Sequence, residues 1–223
     1  MVTAMMGCII TLVDILINMG SIRSFDIRQV KDRGNISTFV ETGTLYGDGV
    51  DYALQSGFDD IISIEINETL ATRAKLKYQN NSKVRIIQGN SPDILKNLLP
   101  DIKKPVLFWL DAHFPGCDAN LASYMDELDK TKRAPLEAEL RVIRERNERD
   151  VIICDDLWIY KDWKTSYGSF NDHCKAHGHL ITREEICGDD TLKNLEGIFS
   201  GTHKMSEVYI DQGFMVFKPH SID

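Results

Sequence analysis

The sequence has few cysteines and none that are paired by spacing. Its 223 residues include five cysteines, and no two of them form a Cys-x-x-Cys motif. A scattered, odd-numbered set fits neither a disulfide framework nor a zinc ribbon, and it is typical of a protein that stays reduced. We therefore expect a cytoplasmic protein without structural disulfides.

The chain also lacks an excess of positive charge and a long uninterrupted apolar run. It has 26 lysines and arginines and 34 aspartates and glutamates, which gives a net charge of -8. This charge argues against broad contact with nucleic acid or anionic membranes. The most apolar segment, 5–19, contains Asp14 and is shorter than the roughly 18 residues that a membrane span needs. No basic stretch precedes it, so a secretory signal and a membrane segment are not expected. We interpret residues 1–34 as an N-terminal helical cap that covers the domain or packs against a second copy of the chain.

No internal repeat divides the chain, whereas strand-like and helix-like segments alternate along it. Buried strands are predicted near 36–41, 61–65, 84–88, 106–110 and 151–154, with another near 179–182 and a final hairpin at 206–210 and 214–218. This order predicts an α/β fold: a Rossmann-like, doubly wound, seven-stranded sheet, mostly parallel with an antiparallel C-terminal strand and helices on both faces. One domain should span 35–223, with a lid-like insert at 114–134.

The stretch from Phe39 to Val50 indicates a binding site. An apolar strand runs into Glu41 and then into three glycines, at positions 43, 47 and 49. Glycines let the backbone turn tightly and approach a ligand, and the helix that follows points its positive end into the same space. Glu65 ends the next strand, about 20 residues later, where a nucleoside-binding βαβ unit places the acceptor for its ribose hydroxyls. The pattern therefore predicts a nucleoside-containing cofactor at the ends of the first strands.

Three aspartates follow the fourth and fifth predicted strands. Asp111 comes after one strand, and Asp155 and Asp156 come after the other, so all three should meet at one edge of the sheet. Crowded carboxylates resist ionisation unless a cation compensates them, and Mg²⁺ prefers oxygen ligands of this kind. His113 is a candidate general base, because an imidazole can take a hydroxyl proton near neutral pH. The alternative is structural: Asp155 caps the next helix, Asp111 pairs with a lysine or arginine, and His113 orients Asp111.

Taken together, these motifs resemble those of the class I S-adenosylmethionine-dependent methyltransferases over about 36–219. Glu41 to Gly49 is similar to the first motif of that family, Glu65 to its strand-two acid, and Gln88 to Ser91 to the segment beside the adenine. An aspartate is common in the family where Asn90 stands. The resemblance implies S-adenosylmethionine as the cofactor, held by Glu41, Thr42, Gly43, Thr44, Gly47, Gly49, Glu65, Ile66, Asn90, Ser91 and Asp111.

A narrower resemblance is to metal-dependent O-methyltransferases of the catechol and macrocin types and to uncharacterised bacterial methyltransferase-like proteins. It is carried by the sequence around Asp111 and His113, by the Asp155-Asp156 pair and by a Pro-Leu-x-x-Glu-Leu stretch at 135–140. It implies methyl transfer to a hydroxyl of a small molecule or sugar, with Mg²⁺ or another divalent cation bound by Asp111, Asp155 and Asp156. His113 and Asp111 would be the catalytic residues.

Two other functions fit parts of the sequence. The glycine pattern from Thr42 to Gly49 is also that of short-chain dehydrogenases, and Tyr160 and Lys164 have the spacing of their Tyr-x-x-x-Lys pair. An NAD(P)-dependent oxidoreductase is therefore one alternative. The other is a non-catalytic, cofactor-binding subunit that acts through the apolar N-terminal segment.

Overall fold

The computed structural model of the chain describes residues 21–146, 149–166, 168–187 and 191–220. Within these ranges the chain forms seven strands, three of which have the predicted bounds. The strands are β1 (Thr38–Thr42), β2 (Asp60–Glu65), β3 (Val84–Gln88), β4 (Val106–Leu110), β5 (Val151–Cys154), β6 (His203–Val208) and β7 (Phe214–Pro219).

All seven strands belong to one sheet with the order β3-β2-β1-β4-β5-β7-β6. The first five strands pair in parallel, and β7 runs antiparallel to both of its neighbours, β5 and β6. The predicted fold class, including the antiparallel C-terminal strand, is confirmed. The additional strand predicted near 179–182 is wrong, because β7 occupies the edge of β5 and Ile181 is instead buried in the core between two helices.

Helices connect the strands and lie on both faces of the sheet. In the described ranges they are α1 (Ile27–Gly34), α2 (Asp48–Gln55), α3 (Glu68–Tyr78), α4 (Ser91–Leu98), α5 (Lys130–Arg133), α6 (Leu136–Arg144), α7 (Leu157–Tyr160), α8 (Phe170–Ala176), α9 (Arg183–Cys187) and α10 (Thr191–Ile198). Polar side chains start several of them: Asn67, for example, accepts hydrogen bonds from the backbone N–H groups of Thr69 and Leu70 at the start of α3.

Each face of the sheet carries its own hydrophobic core. Successive side chains of a strand point to opposite faces, so Val40 lies in one core and Phe39 in the other. The parallel register aligns Val40 with Ile62 and Phe108, which belong to the same core. Burial on both faces explains why β4 is a continuous apolar run, and the parallel register aligns the carboxyl ends of β1, β2 and β4 at one edge.

The N-terminal cap and the insert are the two predicted parts of the chain outside the sheet and its connecting helices. The apolar segment 5–19, and with it most of the proposed N-terminal cap, lies outside the described residues. Ile22 and Ile27, which follow it, are buried in the core that contains Phe39. In the insert at 114–134, turns dominate and α5 forms the regular part. Within the described ranges, no helix has the length and apolar character of a membrane-crossing segment.

Candidate active site

A cavity, here called the cofactor cavity, lies at the carboxyl ends of the first four strands. Its wall includes Gly43 after β1, Glu65 and Ile66 at the end of β2, and Asp111 after β4. It also includes two further predicted residues, Asn90 and Ser91, and parts of the insert: Pro115, Gly116, Asp118 and Lys132. The cavity thus joins six residues that the sequence analysis selected for the cofactor.

Gly43 allows the ends of β1 and β4 to approach each other. Its φ is +83°, and a Cβ added there would lie 2.6 Å from the backbone oxygen of Asp111. Gly47 is restricted in a similar way: its φ is +84°, and a Cβ would lie 2.4 Å from the Tyr78 hydroxyl. A side chain at either position would therefore distort the turn that begins the cavity wall.

Glu65 is buried at the end of β2 and is tied to the loops on either side. Its Oε2 accepts a hydrogen bond from the backbone N–H of Leu45 (3.0 Å), and its Oε1 accepts one from that of Asn67 (2.9 Å). Burial raises the pKa of Glu65, and these backbone hydrogen bonds oppose the rise. Because each carboxylate oxygen accepts more than one hydrogen bond, Glu65 can still accept from a ribose diol.

Glu41 and its partners Ser63 and Thr44 are buried and are not among the residues that line the cofactor cavity. Ser63 Oγ donates a hydrogen bond to Glu41 Oε2 (2.5 Å), and the Thr44 hydroxyl lies 2.6 Å from that of Ser63. Gly49 leaves room for the carboxyl group, since a Cβ there would lie 1.7 Å from Glu41 Oε1. Thr42, at the end of β1, is also fully buried outside the cavity wall.

Beside the cofactor cavity, Asp111, His113 and Asp156 converge. One ligand atom from each of the three lies within 4.8 Å of the others, which is a spacing that could hold a metal ion. His113 Nε2 is 2.6 Å from Asp156 Oδ2 and 3.7 Å from Asp111 Oδ1. Asp156 is a non-glycine residue with a φ of 58°, and its Oδ1 accepts a hydrogen bond from Trp158 Nε1 (2.8 Å). Such a backbone conformation is costly and is often found at functional sites.

The charges of this group are strongly coupled. Burial and then the nearby Asp155 raise the pKa of Asp111 well above its usual range, and His113 opposes that rise. Burial by itself would lower the pKa of His113, but attraction to Asp156 and the hydrogen bond to it hold the pKa well above its ordinary value. This coupling favours the imidazolium form of His113, whose positive charge opposes the rise in the pKa of Asp111.

The carboxylate of Asp155 lies next to this group but bonds to the backbone and not to His113. Its Oδ1 accepts a hydrogen bond from the backbone N–H of Asp156 (2.7 Å), and the residue is buried. Burial and the neighbouring Asp156 raise the pKa of Asp155 well above its usual value. Asp155 also lines a second, smaller cavity, here called the inner cavity, together with Asp111, Asp156 and His113.

Known proteins resemble this chain in structure but not in sequence. No protein-family model matches it, and no curated protein is significantly similar to it in sequence. The SAH-bound methyltransferase PaMTH1 of Podospora anserina superposes with a TM-score of 0.58 at 15% identity, over 88% of this chain and 76% of that one. An O-methyltransferase of Bacillus cereus in complex with SAH gives 0.52 at 14% identity, over 89% and 81%. TomG, an O-methyltransferase of Streptomyces achromogenes involved in tomaymycin synthesis and crystallised with SAM, gives 0.52 at 12%, over 89% and 80%.

The chain has the class I methyltransferase fold. At these identities the likeness concerns the fold alone. The arrangement of side chains at the carboxyl edge of the sheet is what bears on function.

Two of the three contacts that the structural alternative predicts for this site are absent from the described residues. Asp156, not Asp155, precedes α7, and its side chain makes no capping hydrogen bond. In the described part of the chain, the ion pairs include none between Asp111 and a lysine or arginine. The charged partner of Asp111 is His113.

The dehydrogenase-like pair is not assembled. Tyr160 is buried at the end of the four-residue helix α7, and the backbone is extended at Lys161, directly after it. Lys164 therefore does not follow Tyr160 on one helix, as a Tyr-x-x-x-Lys pair requires. The glycine turn remains, but it is common to several nucleoside-binding folds.

Two residues near the site were not selected from the sequence. Asp118, from the insert, lies 4.0 Å from His113 Nδ1, a buried atom without a hydrogen-bond partner in the described ranges. Glu139, on α6, is fully buried and bonds to Ser91. Glu139 belongs to the Pro-Leu-x-x-Glu-Leu stretch at 135–140, so a glutamate among apolar helix positions was its available signal. Asp118 had none, because its position depends on how the insert folds back.

Proposed function

We propose that this chain is an S-adenosylmethionine-dependent methyltransferase that acts on a hydroxyl of a small molecule or sugar, assisted by a divalent cation. The observation that carries the proposal is the contact of two sites. A cavity at the ends of β1 to β4 adjoins the group of Asp111, His113 and Asp156, so a cofactor and an activated hydroxyl would meet there. Structurally similar proteins that contain SAM or SAH support the choice of cofactor.

The residues of the cofactor cavity fit S-adenosylmethionine. Glu65 offers acceptor oxygens for the ribose, and Asn90 and Ser91 stand at the start of α4, where the adenine would lie. The absent Cβ of Gly43 brings backbone groups close to the methionine part. Glu41 would act from outside this wall, by fixing the turn rather than by touching the cofactor.

The group around Asp156 fits a divalent cation. The carboxylates of Asp111, Asp155 and Asp156 border one inner cavity and are oxygen ligands of the kind that Mg²⁺ or Mn²⁺ prefers, which leaves the nearby His113 ring for proton transfer. When bound, S-adenosylmethionine supplies a methyl group activated by its sulfonium centre, and the cation supplies positive charge next to the acceptor oxygen. The protein then has to hold the nucleophile in line with the methyl carbon, which is the main demand of such a reaction.

His113 is the residue we assign to proton transfer. Its Nε2 faces Asp156 and Asp111, and its side chain is largely enclosed, with 17% exposed. A hydroxyl placed between the cofactor cavity and these carboxylates would be within reach of this ring. Asp111 lines both the cofactor cavity and the inner cavity, so it would hold the acceptor on the side of the cofactor.

Two further properties support a small acceptor in a reducing compartment. The net charge of -8 disfavours a polyanionic partner such as nucleic acid. In the described part of the chain, Cys117, Cys154 and Cys174 are free thiols, which is consistent with the proposed cytoplasmic location.

Calorimetry tests the proposal in two stages. The purified protein should bind S-adenosylhomocysteine, and it should not quench or enhance NADPH fluorescence. It should also bind Mn²⁺, and Asp156→Ala should abolish this binding, whereas Asp162→Ala at an exposed position should leave it unchanged. Failure to bind S-adenosylhomocysteine contradicts the proposed function. Tight binding of the cofactor without turnover across a panel of hydroxyl acceptors favours a non-catalytic subunit instead.

A further inference from the structure

Glu139 is a buried carboxyl group that the proposed mechanism does not use. It lies in the first turn of α6 and is fully enclosed. Ser91 Oγ donates a short hydrogen bond to its Oε1. Its Oε2 and the Thr42 hydroxyl are both buried without a hydrogen-bond partner in the described part of the chain, although the hydroxyl is near enough to lower the pKa of Glu139.

The position of Glu139 links the two halves of the site. Through Ser91 it reaches the wall of the cofactor cavity. It also lines the inner cavity, whose other walls include Asp111 and Asp155. One side chain thus contacts a residue beside the expected adenine and faces the space behind the acidic group.

The carboxyl group of Glu139 can accept more hydrogen bonds than its protein neighbours supply. Burial raises the pKa of Glu139 to about 7, and hydrogen bonding from Ser91 and Thr42 opposes the rise. A buried polar atom left without a partner is destabilising, and in native proteins such atoms are normally satisfied by protein, water or an ion. The inner cavity adjoins Glu139, and a water molecule there would have polar groups on several sides.

We infer that Glu139 is a positioning residue that connects the cofactor cavity to the cation-binding aspartates. Its Oε1 fixes Ser91, and its Oε2 accepts a hydrogen bond from a water molecule in the inner cavity that supports Asp111 and Asp155. This inference rests on the proposed function. Oε1 should affect binding of the cofactor and Oε2 should affect binding of the cation, so the two effects can be measured separately.

Binding of two probes, S-adenosylhomocysteine and Mn²⁺, measured by calorimetry at pH 8, separates them. Glu139→Gln keeps an acceptor for Ser91 but loses the charge, so its affinity for S-adenosylhomocysteine should stay within about twofold of wild type. Its affinity for Mn²⁺ should fall about tenfold, as expected when a group that supports metal ligands is removed. Ser91→Ala should show the reverse pattern, with about fivefold weaker S-adenosylhomocysteine binding and unchanged Mn²⁺ binding.

Glu139→Met fills the same space without either hydrogen bond and should weaken the binding of both S-adenosylhomocysteine and Mn²⁺. The matched control is Glu137→Gln on the same helix, where the side chain is exposed and pairs with Arg141. It removes the same charge and should change neither affinity. Melting temperatures of all variants show whether they are folded, and Glu139→Gln carries the test if Glu139→Met is unstable.

The outcomes distinguish this inference from the function on which it rests. Wild-type protein that fails to bind either probe refutes the proposed function and the inference together. Wild-type protein that binds both, with Glu139→Gln binding Mn²⁺ as tightly as wild type, refutes the inference alone. Equal S-adenosylhomocysteine affinities of wild type and a folded Glu139→Met variant also refute it.

Discussion

The buried carboxyl group of Glu41 should make the stability of the protein fall as pH rises. Burial is the main cause that raises the pKa of Glu41 from 4.5 to about 8, against the hydrogen bond from Ser63 and with a further contribution from Glu65. The folded protein therefore holds the Glu41 proton more tightly than the unfolded chain does. Stability from this group is fully present below pH 4.5 and is lost progressively as pH rises to about 8.

The size of the effect follows from the two pKa values. In the window between them, the free energy of unfolding falls by about 1.4 kcal/mol for each pH unit. The whole window of roughly 3.5 units corresponds to about 5 kcal/mol, which is a large part of the stability of a domain. Between pH 6.0 and pH 7.5 the loss should be about 2 kcal/mol.

The variant Glu41→Gln isolates this term, because Gln has nearly the same shape and can still accept the hydrogen bond from Ser63. Urea unfolding at pH 6.0, 6.75 and 7.5 gives the free energy of unfolding of both proteins. Relative to the variant, the wild type should lose about 2 kcal/mol across this range, since every other titrating group cancels in the difference.

The exposed Glu137→Gln variant serves as the control, and its difference from wild type should not change with pH. A constant difference between Glu41→Gln and wild type would refute the argument that Glu41 is buried and protonated in the folded state. Binding of S-adenosylhomocysteine to Glu41→Gln at pH 6 should equal that of wild type, because Glu41 does not line the cofactor cavity.

Two other predictions concern the turn and the histidine. Gly43→Ala should destabilise the protein by about 1–3 kcal/mol more than Gly57→Ala in thermal unfolding, because both residues have positive φ but only Gly43 lies against backbone atoms, those of Asp111 and Ala112 directly after β4. Equal losses would show that close approach at Gly43 is not the reason for the glycine. Mn²⁺ binding to the wild type at pH 7.5 should release about one proton more than binding to His113→Gln, because the raised pKa of His113 keeps it protonated beside Asp156 until a cation competes. Cation affinity should therefore increase with pH, and calorimetric enthalpies that do not depend on the buffer would contradict this.

The sequence by itself determined the order of the elements and the edge of the sheet that carries the site. The strands β4 and β5 form at their predicted bounds, because each is a short apolar run buried on both faces and bounded by polar residues or proline. The edge strand β3, in which Arg85 and Gln88 are exposed, also has its predicted bounds. Parallel strands bring their carboxyl ends to one edge, so Gly43, Glu65 and Asp111 meet around one cavity although they are far apart in the chain.

Only the tertiary structure decided which carboxyl group faces which partner. Two adjacent aspartates look equivalent in the sequence, but the left-handed backbone at Asp156 turns its carboxylate to His113, while the carboxylate of Asp155 accepts a hydrogen bond from the backbone N–H of Asp156. The sequence marks Glu41 as part of a binding motif and Glu139 as a glutamate among apolar helix positions, but only packing shows that both carboxyl groups are enclosed. The physical reason is that these features depend on interactions between residues far apart in the sequence. Periodicity and composition report local burial, whereas the direction of a side chain and the pKa of its acid depend on backbone dihedral angles and on neighbours that are distant in the sequence.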